Sequence, residues 1–173
     1  MNILLTGGSA NGKSTYAESI CVRLPGPRYY IAAMRPYGSE SQKKIERHRI
    51  MRADKGFETF ERYTDLKGLV LPEKGTVLLE CMCNLTANEM FDDLGNMRDP
   101  SSDIIEGIEN LKKQSRDLIV VTNDVGGDIY GYSDSTMEYM RILGKLNAYL
   151  AKDFDTVIEV VAGIPLPVKG EII

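Results

Sequence analysis

The sequence predicts an α/β fold: a mostly parallel sheet with helices on both faces and a candidate short antiparallel strand at its edge. Two observations predict it. Short runs that are apolar throughout alternate with longer segments of helical pattern, and a strand covered on both faces needs apolar residues at every position. The first such run is followed at once by a glycine-rich segment and a helix, as in a strand–crossover–strand unit.

Taken in order, Asn2 to Thr6 reads as the first buried strand. A helix follows from Lys13 to about Leu24, and Pro25-Gly26-Pro27 breaks it, since proline lacks an amide donor. Arg28 to Ala33 is the second strand, and Ser39 to Arg52 is helical, with Gly56 as a stop. Thr76 to Glu80 is the third strand, followed by a helix from about Asn84 to Leu94. Asp99-Pro100-Ser101-Ser102 makes a turn with a helix N-cap, and that helix runs to about Ser115. Asp117 to Thr122 is the fourth strand, Ser133 to Lys152 the longest helix and Thr156 to Val161 the fifth strand. Val168 to Ile172 is the candidate edge strand. With no repeat or linker between them, residues 1–173 are expected to form a single domain.

Composition narrows the function. The apolar share of 43% is enough for a real core, and the formal charge of -4 argues against broad binding to nucleic acid or anionic membranes. An anionic ligand must be met by local positive charge, and the stretch from Lys43 to Arg52 is the one such cluster. Cys21, Cys81 and Cys83 match neither a zinc ribbon nor a CxxC pair, so they read as buried reduced thiols. No signal peptide opens the sequence, and no apolar run approaches the roughly 20 residues that span a bilayer. A soluble, cytoplasmic protein without membrane insertion is expected.

Gly7-Gly8-Ser9-Ala10-Asn11-Gly12-Lys13-Ser14 matches the phosphate-loop pattern G-x-x-x-x-G-K-[ST] in full. Glycines let the backbone curl so that its N–H groups point inward at phosphate oxygens, and the helix beginning near Lys13 adds its positive end. Lys13 can reach the β- and γ-phosphates of a nucleoside triphosphate, and the Ser14 hydroxyl can hold Mg²⁺. Such a loop also needs an acidic partner at a neighbouring strand end. Glu80 and Asp124 both qualify, and Glu80 is favoured.

His48 is the sole histidine. On a helix, Lys44, His48 and Arg52 share one face, with Arg47 and Arg49 flanking. Neighbouring cations disfavour the imidazolium, so a mostly neutral ring near pH 7 is expected. A neutral imidazole is a competent nucleophile, and cations around it could hold a triphosphate. The alternative is a solvated basic helix that happens to contain a histidine.

These residues resemble those of the bifunctional adenosylcobinamide kinase/adenosylcobinamide-phosphate guanylyltransferase family, from Asn2 to Lys169. The similarity runs through Ile3-Leu4-Leu5-Thr6-Gly7-Gly8, the phosphate loop with Ala17-Glu18, and Tyr30-Ile31-Ala32. It continues through Ile45-x-x-His48-Arg49-x-x-Arg52, Thr59-x-Glu61, Leu78-Leu79-Glu80-Cys81 with Asn84-Leu85, and Val121-Thr122-Asn123-Asp124-Val125-Gly126. Arg141-x-x-Gly144-x-x-Asn147 and Ala162-Gly163-Ile164-Pro165 complete it. Phe57 stands where the family usually has tryptophan, Ala53 where proline is usual, and Arg35-Pro36-Tyr37-Gly38 differs from the usual loop.

The resemblance implies two reactions on the substrates adenosylcobinamide, ATP and GTP. A nucleoside triphosphate phosphorylates adenosylcobinamide, and GMP then passes from GTP through a guanylyl-His48 intermediate to give adenosylcobinamide-GDP. It implies nucleotide contacts at Gly7 to Ser14, Ala32, Ala33, Met34, Arg49, Arg52, Glu61 and Glu80, with Mg²⁺ on Ser14 and Glu80, and a homotrimer. Without the resemblance, a phosphate-loop kinase of another metabolite or a GTP-driven switch protein would share the loop; neither needs His48.

Overall fold

The computed structural model describes residues 1–92, 94–125 and 131–172. β1 (Asn2–Thr6) leads through residues 7–12 into α1 (Lys13–Arg23), followed by β2 (Arg28–Ala32), α2 (Gly38–Arg52) and β3 (Phe57–Glu61). A 3₁₀ turn at Leu66–Gly68 precedes β4 (Thr76–Glu80), α3 (Met82–Met90), α4 (Ser101–Gln114) and β5 (Asp117–Val121). α5 (Asp134–Asp153), β6 (Thr156–Val161) and β7 (Ile164–Lys169) complete the described elements.

The strands form one sheet in the order β3-β2-β4-β5-β1-β6-β7, parallel except for the last pair. Ile3, Leu4 and Leu5 of β1, Val77 to Leu79 of β4 and Leu118 to Val121 of β5 are buried, as central strands covered on both faces require. From β1 the chain crosses to β2 in one direction, whereas from β5 it crosses to β6 in the other. Right-handed crossovers therefore set α1 and α5 on opposite faces. α1 packs on β4 and β5 through Ala17, Ile20 and Cys21; α4 joins α5 and presents Ile104, Ile108 and Leu111. The reversal of direction opens a crevice at the carboxyl ends of the central strands, where open α/β sheets bind ligands.

Several boundaries differ from those expected. β3 was not foreseen as a strand. Its sequence Phe-Glu-Thr-Phe-Glu has too few apolar positions to stand out, yet it pairs in parallel with β2 from Arg28↔Phe57 to Ala32↔Glu61. The antiparallel edge strand exists, but at Ile164–Lys169 rather than Val168 to Ile172. Pro165 and Pro167 are two residues apart, opposite Val160 and Ile158, so both missing donors fall on one side of the strand, which an edge tolerates. α3 begins at Met82 and ends at Met90, directly behind β4, instead of running from Asn84 to Leu94. Pro100 holds the N-cap position of α4, and Asp99 before it accepts from the Ser101 N–H through Oδ1 at 2.9 Å. Gly126, the last residue of the Val121 to Gly126 similarity, lies outside the described residues.

Candidate active site

The phosphate loop rises from the carboxyl end of β1 and is tied down on two flanks. The Asp124 N–H donates to the Gly7 carbonyl at 3.2 Å, and the Gly163 N–H in the β6–β7 turn donates to the Asn11 carbonyl at 3.0 Å. Gly7 has φ +130°, and a Cβ there would sit 2.5 Å from the Val160 carbonyl oxygen, so neither its conformation nor its space admits a side chain. Ser9, Ala10 and Gly12 are exposed, while Gly8, Asn11 and Ser14 are half-buried. Lys13 folds back over the loop, donating to the Gly7 carbonyl at 2.9 Å and the Gly8 carbonyl at 2.5 Å. Burial lowers its pKa, against the opposing pull of Cys81, Cys83 and Glu80.

Glu80, the last residue of β4, is the meeting point of the site. Ser14 Oγ donates to its Oε1, and the Tyr30 hydroxyl donates to its Oε2 at 3.0 Å. His48 Nδ1 lies 3.7 Å from Oε1 and 3.5 Å from the Tyr30 oxygen. Sheet register explains part of this: Ala32 pairs with Glu80, and Tyr30, two residues earlier, points to the same face as Ala32. Helical spacing explains the rest, because Ile45, His48 and Arg52 lie on the inward side of α2, most of whose other residues are exposed. Burial pushes the Glu80 carboxyl up, but hydrogen bonding and charge from His48, with the bonds from Ser14 and Tyr30, leave it below its ordinary value. Burial and the Glu80 charge hold the Tyr30 phenol well above its own.

Arg52 lies over the Tyr30 ring, with Cζ 3.4 Å from the centroid. Only 6% exposed, its Nε and Nη1 have no hydrogen-bond partner among the described residues. A buried cation with idle donors is costly unless an anion meets it. Tyr30, Ala32, Met34, Lys44, His48, Arg52 and Glu80 line one cavity. Arg49 and Glu61 are not in it. They pair with each other at 2.8 Å on another side of α2, where Tyr63 also donates to Glu61 at 2.9 Å, and these bonds lower the Glu61 pKa. They line a neighbouring hollow with Pro36, Gln42 and Glu46. Ala33 is fully buried; its N–H donates to the Glu80 carbonyl and its carbonyl accepts from Asn88.

Two features escaped the sequence reading. His48 was expected among cations alone, whereas the fold adds a carboxylate beside it. Tyr30 was not foreseen in the site; its placement two residues before Ala32 on an inward strand face was the available signal. The three cysteines are free and buried as expected. Cys81 shares a hydrogen bond with Cys83 that pushes the Cys81 thiol up and holds Cys83 down.

The donor set fits Mg²⁺. Ser14 and Glu80 offer a hydroxyl and a carboxylate oxygen, both hard ligands, and Ser14 bonds Glu80 rather than Asp124. Among the described residues no group of three or more acidic, histidine or cysteine side chains could hold a metal alone. The ion would have to complete its shell with phosphate oxygens and water, as Mg²⁺ does in nucleotide sites.

Comparison with known proteins places the chain in a family. The family model described as cobinamide kinase / cobinamide phosphate guanyltransferase matches residues 3–168. The chain is 32% identical to the bifunctional adenosylcobalamin biosynthesis protein CobU of Escherichia coli (strain K12), covering 98% of this chain and 100% of that one. It is 26% identical to the bifunctional adenosylcobalamin biosynthesis protein CobP of Pseudomonas aeruginosa, covering 99% of each. Among solved structures, an ATPase from the type III secretion system of pathogenic bacteria superposes with a TM-score of 0.53 at 9% identity, over 91% of this chain and 50% of that one, a likeness of fold alone. A match running from the first strand to the last, shared with relatives of the same extent, identifies the chain as a member of the cobinamide kinase / cobinamide phosphate guanyltransferase family, a kinase and guanylyltransferase of cobalamin biosynthesis.

Proposed function

We propose that one phosphate-loop domain, residues 1–173, carries out both transfers in turn, and that His48 carries the guanylyl group. In the first, the hydroxyl of the aminopropanol arm of adenosylcobinamide attacks the γ-phosphorus of a nucleoside triphosphate, its proton passes to water, and the nucleoside diphosphate leaves with the electrons of the broken P–O bond. Lys13 and the inward N–H groups of the loop hold the phosphate oxygens as charge develops on them, which is most of what phosphoryl transfer asks of a protein. Mg²⁺ on Ser14 and Glu80 would supply further neutralisation of that charge when bound.

In the second transfer the His48 imidazole attacks the α-phosphorus of GTP, forming an N–P bond as pyrophosphate departs with the electrons of the broken P–O bond. A phosphate oxygen of adenosylcobinamide phosphate then attacks that phosphorus. The N–P bond breaks, its electrons return to the ring, and adenosylcobinamide-GDP is released. Arg52 meets phosphate with its two unpartnered donors. Arg49 and Glu61 serve the nucleotide from the adjoining hollow; freeing Arg49 from an exposed pair costs only about 0.2–1 kcal/mol. Ala32, Ala33 and Met34 complete the nucleotide contacts.

The observation that carries this reading is the position of Glu80, which accepts from Ser14 of the phosphate loop while lying 3.7 Å from His48. Incubation with GTP labelled at the α-phosphate tests it: an acid-labile adduct should form and map to His48, and a label that never becomes covalent would exclude the mechanism.

A cytoplasmic location and a homotrimer belong to the same proposal. No helix among the described residues is long and apolar enough to cross a membrane. Ile164, Leu166 and Val168 form an exposed apolar row on β7 suited to burial between subunits. Sedimentation equilibrium would read the assembly.

A further inference from the structure

We infer that Tyr30 is a positioning residue for His48, holding the neutral ring with its hydrogen on Nδ1 so that Nε2 is the nitrogen that takes the guanylyl group. The inference rests on the guanylyl-histidine reading above and adds the nitrogen, the tautomer and the residue that selects it.

The argument is one of donor supply. A phenol has one hydrogen to give, and Tyr30 gives it to Glu80 Oε2 at 3.0 Å. Toward His48 its oxygen therefore offers only lone pairs, at 3.5 Å from Nδ1. The other group facing Nδ1 is Glu80 Oε1 at 3.7 Å, a carboxylate oxygen that already accepts from Ser14 and has no hydrogen to offer. Both neighbours are acceptors, so in the neutral ring Nδ1 carries the hydrogen and Nε2 keeps its in-plane lone pair. Lys44 and Arg52, on the same face of α2, hold only donors, which can meet a ring lone pair but cannot accept the Nδ1 hydrogen.

The selector is itself immobilised. Arg52 covers one face of the Tyr30 ring, Phe57 meets it edge-on at 6.2 Å and 81°, and the residue is only 4% exposed. The hydroxyl has no room to turn away from Glu80 and His48. During transfer, Nε2 forms the bond to the α-phosphorus and pyrophosphate leaves with the P–O electrons. The hydrogen stays on Nδ1, and the positive charge created on the ring lies beside the Glu80 carboxylate. No base has to remove a proton.

The sole histidine makes the test direct. With ¹⁵N-histidine in the full chain, the neutral wild-type ring should show a pyrrole-type Nδ1 and a pyridine-type Nε2, and the adduct formed from GTP should show phosphorus coupled to Nε2. Tyr30→Phe keeps the packed ring but removes the selecting oxygen. Its Nε2–H population should rise, and single-turnover guanylylation should slow by about tenfold with the KM for GTP changed less than about threefold. A pyrrole-type Nε2 in the wild type, or an adduct on Nδ1, overturns the role of Tyr30 while leaving the covalent mechanism standing. No adduct on His48 at all overturns the covalent mechanism, and this inference with it.

Discussion

Glu80 Oε1 lies 3.7 Å from His48 Nδ1 while the same oxygen accepts a hydrogen bond from Ser14. The carboxylate thus joins the phosphate loop to the histidine helix, and changing it should disturb both transfers. Glu80→Gln is expected to lower the kinase and guanylyl-transfer rates each by about 10²-fold or more, since it removes the charge that orients both neighbours. Separate assays with labelled γ- and α-phosphate read the two losses. A variant impaired in only one would show that the shared contact is incidental.

His48→Asn separates the reactions. Guanylyl transfer should fall by about 10³-fold or more, the scale for loss of a nucleophile, while phosphorylation of adenosylcobinamide stays within a few-fold. Lys13→Ala should impair both steps. Adenosylcobinamide-GDP formed by His48→Asn at near wild-type rate would sink the covalent route.

Arg52 predicts a trade between stability and activity. Its guanidinium is buried with two unpartnered nitrogens, so an apolar side chain of similar length removes a desolvation cost. Arg52→Met should leave the fold unchanged or stabilise it by about 1 kcal/mol, and should slow guanylyl transfer by at least about tenfold. Urea unfolding beside the labelled-GTP assay checks both halves. A clear loss of stability would mean that the stacking on Tyr30 outweighs the cost of the buried charge.

Gly7 and Gly163 both have positive φ, yet they should differ sharply in tolerance. A Cβ at Gly7 would meet the Val160 carbonyl at 2.5 Å, whereas one at Gly163 meets nothing within 4 Å among the described residues. Gly7→Ala is expected to cost more than about 2 kcal/mol and to abolish nucleotide binding, while Gly163→Ala costs about 1 kcal/mol, the strain of the backbone alone. Thermal unfolding with and without nucleotide ranks them.

Cys21 predicts an alkaline limit. Burial pushes its thiol from the ordinary value of 9.0 up to about 12. The folded state therefore holds this proton more tightly than the unfolded state does. Its contribution is fully present below pH 9 and is lost as pH rises toward 12, by at most about 4 kcal/mol. Cys21→Ala should flatten the fall in stability across that window, measured by denaturant midpoints. An unchanged slope would assign the alkaline loss to other groups, the buried Tyr30 phenol first among them.

The phosphate loop, the buried central strands and the shared face of Lys44, His48 and Arg52 could all be read along the chain. Each depends on short-range geometry: a backbone curl within eight residues, a pleat that repeats every second residue, a helix that returns to the same side within a turn or two. The choice of Glu80 over Asp124 as the partner of Ser14, the entry of Tyr30 into the site, and the pairing of Arg49 with Glu61 in a separate hollow were decided by the tertiary structure. So were β3 and the exact place of β7, weakly patterned segments that become strands because β2 and β6 offer them open edges. The physical reason is common to all of these: they join residues far apart in sequence, and their distances exist only once the crossovers have set the order of strands in the sheet.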